Sequence, residues 1–131
     1  MATIKRFEDI EAWQLARGLC KEIWGIINNG TFSKDWGLKD QISRSSGSVM
    51  DNIAEGYGRR GTKEFIHFLS ISSASNDEVR SQLYRALDRG HIDKATFDRL
   101  NQMSIKNGWK IHNFISYLKD CEIRGQKFNF G

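Results

Sequence analysis

The sequence contains no proline. A β-rich or loop-rich domain of this size normally places several prolines in its turns. Long helices exclude the residue, which lacks a backbone N–H and clashes with the preceding turn. Cysteine is also scarce. Cys20 and Cys121 both fall on apolar helical faces, as buried free thiols do, rather than at disulfide or metal-site spacing. No stretch approaches the ~18 apolar residues of a membrane span. The N-terminal MATIKRFEDIEAW lacks the apolar run of a signal peptide. These absences predict a cytoplasmic protein with no membrane partner. A length of 131 residues allows one domain with a real core and is too short for two. The balance of 20 basic against 16 acidic residues, net +4, is a mild bias toward an anionic partner.

The most ordered stretch is Gln41 to Lys63, QISRSSGSVMDNIAEGYGRRGTK. Leu38, Ile42, Val49, Ile53 and Gly56 recur at helical spacing and form an apolar stripe. Gln41, Arg44, Ser48, Asn52, Glu55 and Arg59 form a polar stripe on a different arc of the same cylinder. Ser43, Ser45, Ser46, Gly47 and Ala54 are small, so a neighbouring helix can approach closely. Glycines 56, 58 and 61 are expected to end this helix, leaving Arg59, Arg60 and Lys63 with no acid until Glu64.

Three further helices flank it. Helix 1 is predicted over Asp9 to Asn28 with Trp13, Ala16, Cys20, Ile23 and Ile27 as its seam. Leu15, Leu19 and Ile26 widen that seam beyond the ~100° that one core requires. Helix 2, from about Lys34 to Tyr57 and capped by Thr31 or Ser33, has surplus apolar surface at Trp36, Met50, Ala54 and Tyr57. Leu15, Leu19, Ile26, Trp36 and Met50 are therefore candidate subunit contacts; the alternative is that these rims lie under loops or the tail. Helix 3 begins at Thr62 as N-cap, with Glu64 in its first turn, and runs Phe65, Leu69, Ser72, Asn76, Val79, Leu83, Ala86 to Gly90. Asn76, central in that seam, needs a hydrogen-bond partner if buried. Helix 4 is capped by Asp93 and carries Phe97, Leu100, Ser104, Asn107, Ile111, Phe114 and Leu118. The pattern predicts an all-α, antiparallel up-down-up-down four-helix bundle over residues 1–123, followed by a flexible tail at 124–131.

Chemistry is hard to find in this pattern. Glu64-Phe-Ile-His67 has the E-x-x-H spacing of di-iron bundles, but no second copy exists, and His67 projects about 160° from Phe65 and Leu69. Gly56-Tyr-Gly-Arg-Arg-Gly61 has dinucleotide-loop spacing but follows a helix, not a strand. No serine has a histidine and an acid at recognisable spacing, although a spatial triad is invisible in sequence. The expectation is a protein with no catalytic residues, no metal and no cofactor. Arg59, Arg60 and Lys63, joined by Arg44, are the candidate nucleic-acid contacts, because phosphates are held mainly by Arg and Lys. The alternative is a solvated turn kept soluble by its charges. Gln41, Ser48, Asn52 and Glu55 are read as a hydrogen-bonded seam fixing helix packing or subunit register.

Three segments, QISRSSGSVMDNIAEGYGRR, EFIHFLSISSAS and EVRSQLYRALDRG, resemble the 23S ribosomal RNA intervening-sequence protein family, whose members are also termed four-helix bundle proteins. Asn52-Ile-Ala-Glu-Gly56 is the most specific part, and Gln41, Arg44, Ser48, Asn52, Glu55, Gly56 and Arg59 occupy characteristic positions. At 73–79, SASNDEV departs from the family pattern: Ala74 and Asn76 stand where glycine and leucine are usual, so the core there is expected to be repacked or less stable. The resemblance implies a barrel-shaped homopentamer. A related group, the accessory variability proteins of diversity-generating retroelements, binds nucleic acid and a reverse transcriptase. Two functions follow as expectations: RNA or DNA binding through phosphates without base specificity, or a protein-binding scaffold, for example for a reverse transcriptase.

Overall fold

The computed structural model describes residues 3–131; Met1 and Ala2, part of the N-terminal stretch read above, lie outside the described residues. Four α-helices account for most of the chain: α1 Glu11–Ile27, α2 Trp36–Gly58, α3 Thr62–Asp88 and α4 Lys94–Ile123. Short 3-10 turns at Phe7–Asp9 and Gly30–Lys34 precede α1 and α2. No strand occurs among the described residues, and no helix is long and apolar enough to cross a membrane. Each helix packs on its neighbours around a closed square, with α2–α3 the most extensive pair and α1–α4 the least. The pairs are antiparallel. Gln41 early in α2 meets Arg85 late in α3, Ser48 meets Ser75 at mid-length, and Gly56 late in α2 meets Phe65 and Phe68 early in α3.

The core is built from one arc of each helix, as a bundle demands. Ile23, Ile42, Ile53, Phe65, Leu69, Leu83, Leu100 and Ile111 are fully buried in it. The inward arc of α1 is Ala12, Ala16, Leu19, Ile23 and Ile27, rotated toward Leu19 from the expected seam, so Trp13 and Cys20 are only half-buried. The polar Asn76 is buried at the α3–α4 crossing. Its Nδ2 donates to the Ser104 carbonyl (2.9 Å) and its Oδ1 accepts from Ser104 Oγ (3.1 Å). A serine on α4 thus satisfies the asparagine in the apolar seam of α3.

Helix ends differ from the sequence reading in instructive ways. Asp35, not Thr31 or Ser33, caps α2 by accepting from the Leu38 N–H, because Gly30–Lys34 are taken up in the 3-10 turn. Gly61 is the N-cap of α3 and Thr62 its first residue, whereas Asp93 caps α4 as expected. Gly56 does not stop α2 but lies buried within it. A Cβ there would sit 2.6 Å from Phe68 Cβ and 3.1 Å from the Phe65 ring. The glycine is a crossing point of two helices.

Asp35 also anchors a clamp across the connections. Its Oδ2 accepts from His91 Nε2 (2.8 Å) and from Arg89 Nη1 (2.9 Å). The imidazole stacks on Phe32, and its Nδ1 meets Thr31 Oγ1 at 2.8 Å. These hydrogen bonds, from His91 first and then Arg89, hold the Asp35 carboxyl down to about 2 from the usual 3.8.

Two outcomes follow. Gly56→Ala destabilises the fold by roughly 1–3 kcal/mol, the range for overpacking a rigid contact. Gly18→Ala, with open space at its Cβ, instead gains up to about 1 kcal/mol of helix propensity; urea denaturation separates the two signs. A folded-state pKa below the unfolded one means that the Asp35 carboxylate stabilises above pH ~4 and loses that contribution as pH falls toward ~2. The difference in thermal midpoint between wild type and Asp35→Asn therefore shrinks over that acid window; a gap that stays constant with pH contradicts the clamp.

Candidate nucleic-acid interface

The connection between α2 and α3 is three residues, Arg59 to Gly61. Arg59 closes α2, its N–H reaching back to the Glu55 and Gly56 carbonyls. Arg60 then takes φ 60°, the only left-handed non-glycine residue among those described. A side chain there costs roughly 1–2 kcal/mol, and glycine is the residue that avoids the cost. Glycines stand on either side, at 58 and 61, yet the left-handed site itself carries an arginine.

The corner so formed is exposed and cationic. Lys63 projects from the first turn of α3. Arg59 lies 5.1 Å over the Phe68 ring and 3.6 Å from Glu55 Oε1. Arg60 donates from Nη2 to the Gly131 carbonyl at 3.0 Å. The carboxylate of Glu64 folds back over Gly61, against the first turn of α3. Beside Arg60 a cavity of about 470 Å³ is lined by Thr62, Glu122, Lys127, Phe128 and Phe130, which brings a fourth cation, Lys127, to the corner.

Arg44 is elsewhere. Fifteen residues separate it from Arg59, about 22 Å along the helix axis. It pairs with Asp40 at 3.1 Å and lines a groove with Arg85 instead. The polar stripe is divided as well. Gln41 Oε1 accepts from Arg85 Nη2 (2.6 Å), and Ser48 Oγ meets Ser75 Oγ (2.8 Å), so these two link α2 to α3. Asn52 Nδ2 bonds back to Ser48 within α2, and Glu55 pairs with Arg59 at the end of that helix.

Of the expected subunit contacts, Leu19 is corrected: it is 1% exposed in the core of its own chain, because the inward arc of α1 is centred closer to it than to Trp13 or Cys20. Leu15, Ile26 and Met50 are half-buried, the latter two against the core. Trp36 is 74% exposed. Two more exposed tryptophans, Trp24 and Trp109, escaped the sequence reading, although both stand outside the seams drawn for their helices.

The tail is also corrected. Residues 124–131 have no helix, yet they dock rather than fray. Phe128 and Phe130, two apart in an extended segment, direct both rings to one side. Both lie 6.0 Å from the Phe65 ring, and Phe114 and Tyr57 complete the cluster. Tyr57 Oη donates to the Phe130 carbonyl. The alternation F-N-F was the available signal.

Thr31, His91 and Asp35 line up as hydroxyl, imidazole and carboxylate, the order of a nucleophile relay. Here the carboxylate is already shared between the α2 cap and Arg89, and one imidazole face is closed by Phe32. The arrangement reads as the structural clamp described above.

The chain matches the model of a family described as 23S rRNA-intervening sequence protein over residues 8–113. Among solved structures it is similar to a protein with unknown function from the S23 ribosomal protein family of Bacteroides thetaiotaomicron VPI-5482. The TM-score is 0.73 at 20% identity, covering 79% of this chain and 97% of that one. That likeness is one of fold. No curated protein sequence matches.

If the aromatic cluster holds the tail, trypsin cleaves after Lys127 slowly in the wild type and much faster in Phe130→Ala, with the bundle intact by circular dichroism. Equal cleavage rates contradict the docking.

Proposed function

The chain belongs to the 23S rRNA-intervening sequence protein family, and from that premise we propose a non-enzymatic, cytoplasmic four-helix bundle. It assembles with copies of itself and binds RNA or DNA through phosphate contacts without reading bases. The observation that carries the reading is Arg60: an arginine held in a left-handed conformation, between glycines, where it costs stability. With Arg59, Lys63 and Lys127 it makes a corner of four cations at the narrow end of the α2–α3 pair. Such a corner suits phosphates, which are held by point charges and guanidinium forks irrespective of sequence.

One corner has too few cations to hold a strand alone. Self-association supplies the rest by placing several corners on one particle. Trp36 and half-buried Met50 lie on the flank of α2 opposite to Gln41 and Ser48 at about 100° per residue. Copies meeting through that flank leave the α2–α3 polar face open. The assembly we propose is a homopentamer. A scaffold that docks a protein such as a reverse transcriptase through the exposed tryptophans is the competing reading.

Salt separates the two. Anisotropy of a labelled single-stranded RNA shows affinity falling steeply from about 50 to 200 mM salt. The triple variant Arg59→Ala/Arg60→Ala/Lys63→Ala lowers the log–log slope by about 2, at roughly 0.7 per lost contact. Arg60→Gly weakens binding while raising the thermal midpoint. Salt-independent binding, or a wild-type protein sedimenting as a monodisperse monomer, overturns the reading.

A further inference from the structure

The docked tail is lightly tied. Gly125, at φ 67°, ends α4 in a left-handed turn, with the Gln126 N–H reaching back to the Cys121 carbonyl. Beyond it, no main-chain hydrogen bond joins residues 127–131 to another segment among the described residues. What holds them is two half-buried rings, Phe128 and Phe130, and two side-chain donors. Tyr57 Oη donates to the Phe130 carbonyl, and Arg60 Nη2 to the Gly131 carbonyl at 3.0 Å. So few contacts can open locally while the four helices stay folded.

The corner beneath this tail is balanced in charge without it. Arg59, Arg60 and Lys63 share it with three carboxylates. Glu55 pairs with Arg59, Glu64 folds back over Gly61, and Glu122 lines the cavity beside Arg60. Cations matched one for one by acids attract a phosphate weakly. Lys127 tips the balance to positive. It makes no ion pair among the described residues, and it reaches the cavity wall with Arg60 as part of the docked tail.

The tail acts on Arg60 as well. A free arginine side chain loses many rotamers when it grips a ligand. The Gly131 carbonyl takes one of its five N–H donors and fixes the guanidinium, leaving four for a phosphate. Ordering then precedes binding, which strengthens it.

We propose that the tail is a strap that completes the phosphate-binding corner. Phe128 and Phe130 are positioning residues: they touch no phosphate, but they keep Lys127 and the Arg60 side chain in place. The proposal rests on the nucleic-acid reading and adds a two-state element to it. With the strap docked, the corner is cationic and ordered; with it released, the corner is neutral and Arg60 is loose. A strand that prefers the docked state must hold the tail down by the same factor.

The full chain is titrated with a labelled single-stranded RNA at 0.1 M salt. Lys127→Ala weakens binding by about fivefold and lowers the log–log salt slope by about 0.7, the loss of one phosphate contact. Phe130→Ala weakens it at least as much, and the double variant is no weaker than Phe130→Ala alone, since the same contact is lost once. Phe130→Tyr, which keeps the ring, restores wild-type affinity. Circular dichroism shows the bundle intact in every variant.

Chymotrypsin reads the strap itself, because cleavage after Phe128 tracks the released population. Saturating RNA slows that cleavage by about fivefold in the wild type and much less in Lys127→Ala. Undiminished slowing in Lys127→Ala means that the strand only shields the bond, and overturns the coupling. Wild-type affinity in Phe130→Ala, or losses that multiply in the double variant, overturns the strap while steep salt dependence leaves the corner standing. Absence of RNA binding by the wild type overturns both.

Discussion

The contact on which most else depends is the approach of α2 to α3 at Gly56. Gly56 brings no side chain of its own to the crossing, and Phe65 and Phe68 occupy the space that a Cβ would take. Because the helices meet so closely, a three-residue connection suffices to join them, and its cations are held together at one end of the pair. Phe65, fixed by the same contact, becomes the ring around which Tyr57, Phe114, Phe128 and Phe130 assemble. A single hydrogen in place of a methyl group thereby sets the helix spacing, the corner and the docked tail. Along the same pair the contacts turn polar, from Ser48–Ser75 at mid-length to Gln41–Arg85 at the far end. There the side chains are long, and a groove opens between them.

The four-helix architecture was legible in the sequence because it rests on local periodicity. Missing prolines, seams at three- and four-residue spacing, and Asp93 as a cap are each readable within one helix. What depended on pairs of distant residues was not. The Asp35 clamp joins residues 56 apart in the chain, and the partner of Asn76 lies 28 residues away on α4. Leu19 was misplaced for a subtler reason: a rotation of α1 by a few tens of degrees exchanges core for rim, and the helix carries apolar residues over too wide an arc to fix that angle. The tail lacks a helical period, and its alternation of two phenylalanines was too short to outweigh the polar residues around it.

The candidate site divides along the same line. Arg59, Arg60 and Lys63 are sequence neighbours, and the structure keeps them together at one turn. Arg44 was joined to them by its place on the polar stripe, but a stripe is a direction along an axis, not a location. The helix carries Arg44 to the opposite end of the pair, where it meets Arg85 and Gln82 from α3. One polar face therefore has two centres, a corner of clustered cations and a groove of mixed donors and acceptors. The exposed tryptophans lie off this face.

The central claim is that the polar face of α2 and α3 is where a nucleic acid lies. Hydrogen–deuterium exchange of the full chain with and without a saturating single-stranded RNA tests it most directly. The account predicts slowed exchange at the α2–α3 turn, with α4 unchanged. Protection confined to α1 and α4, or no protection at any segment, contradicts it.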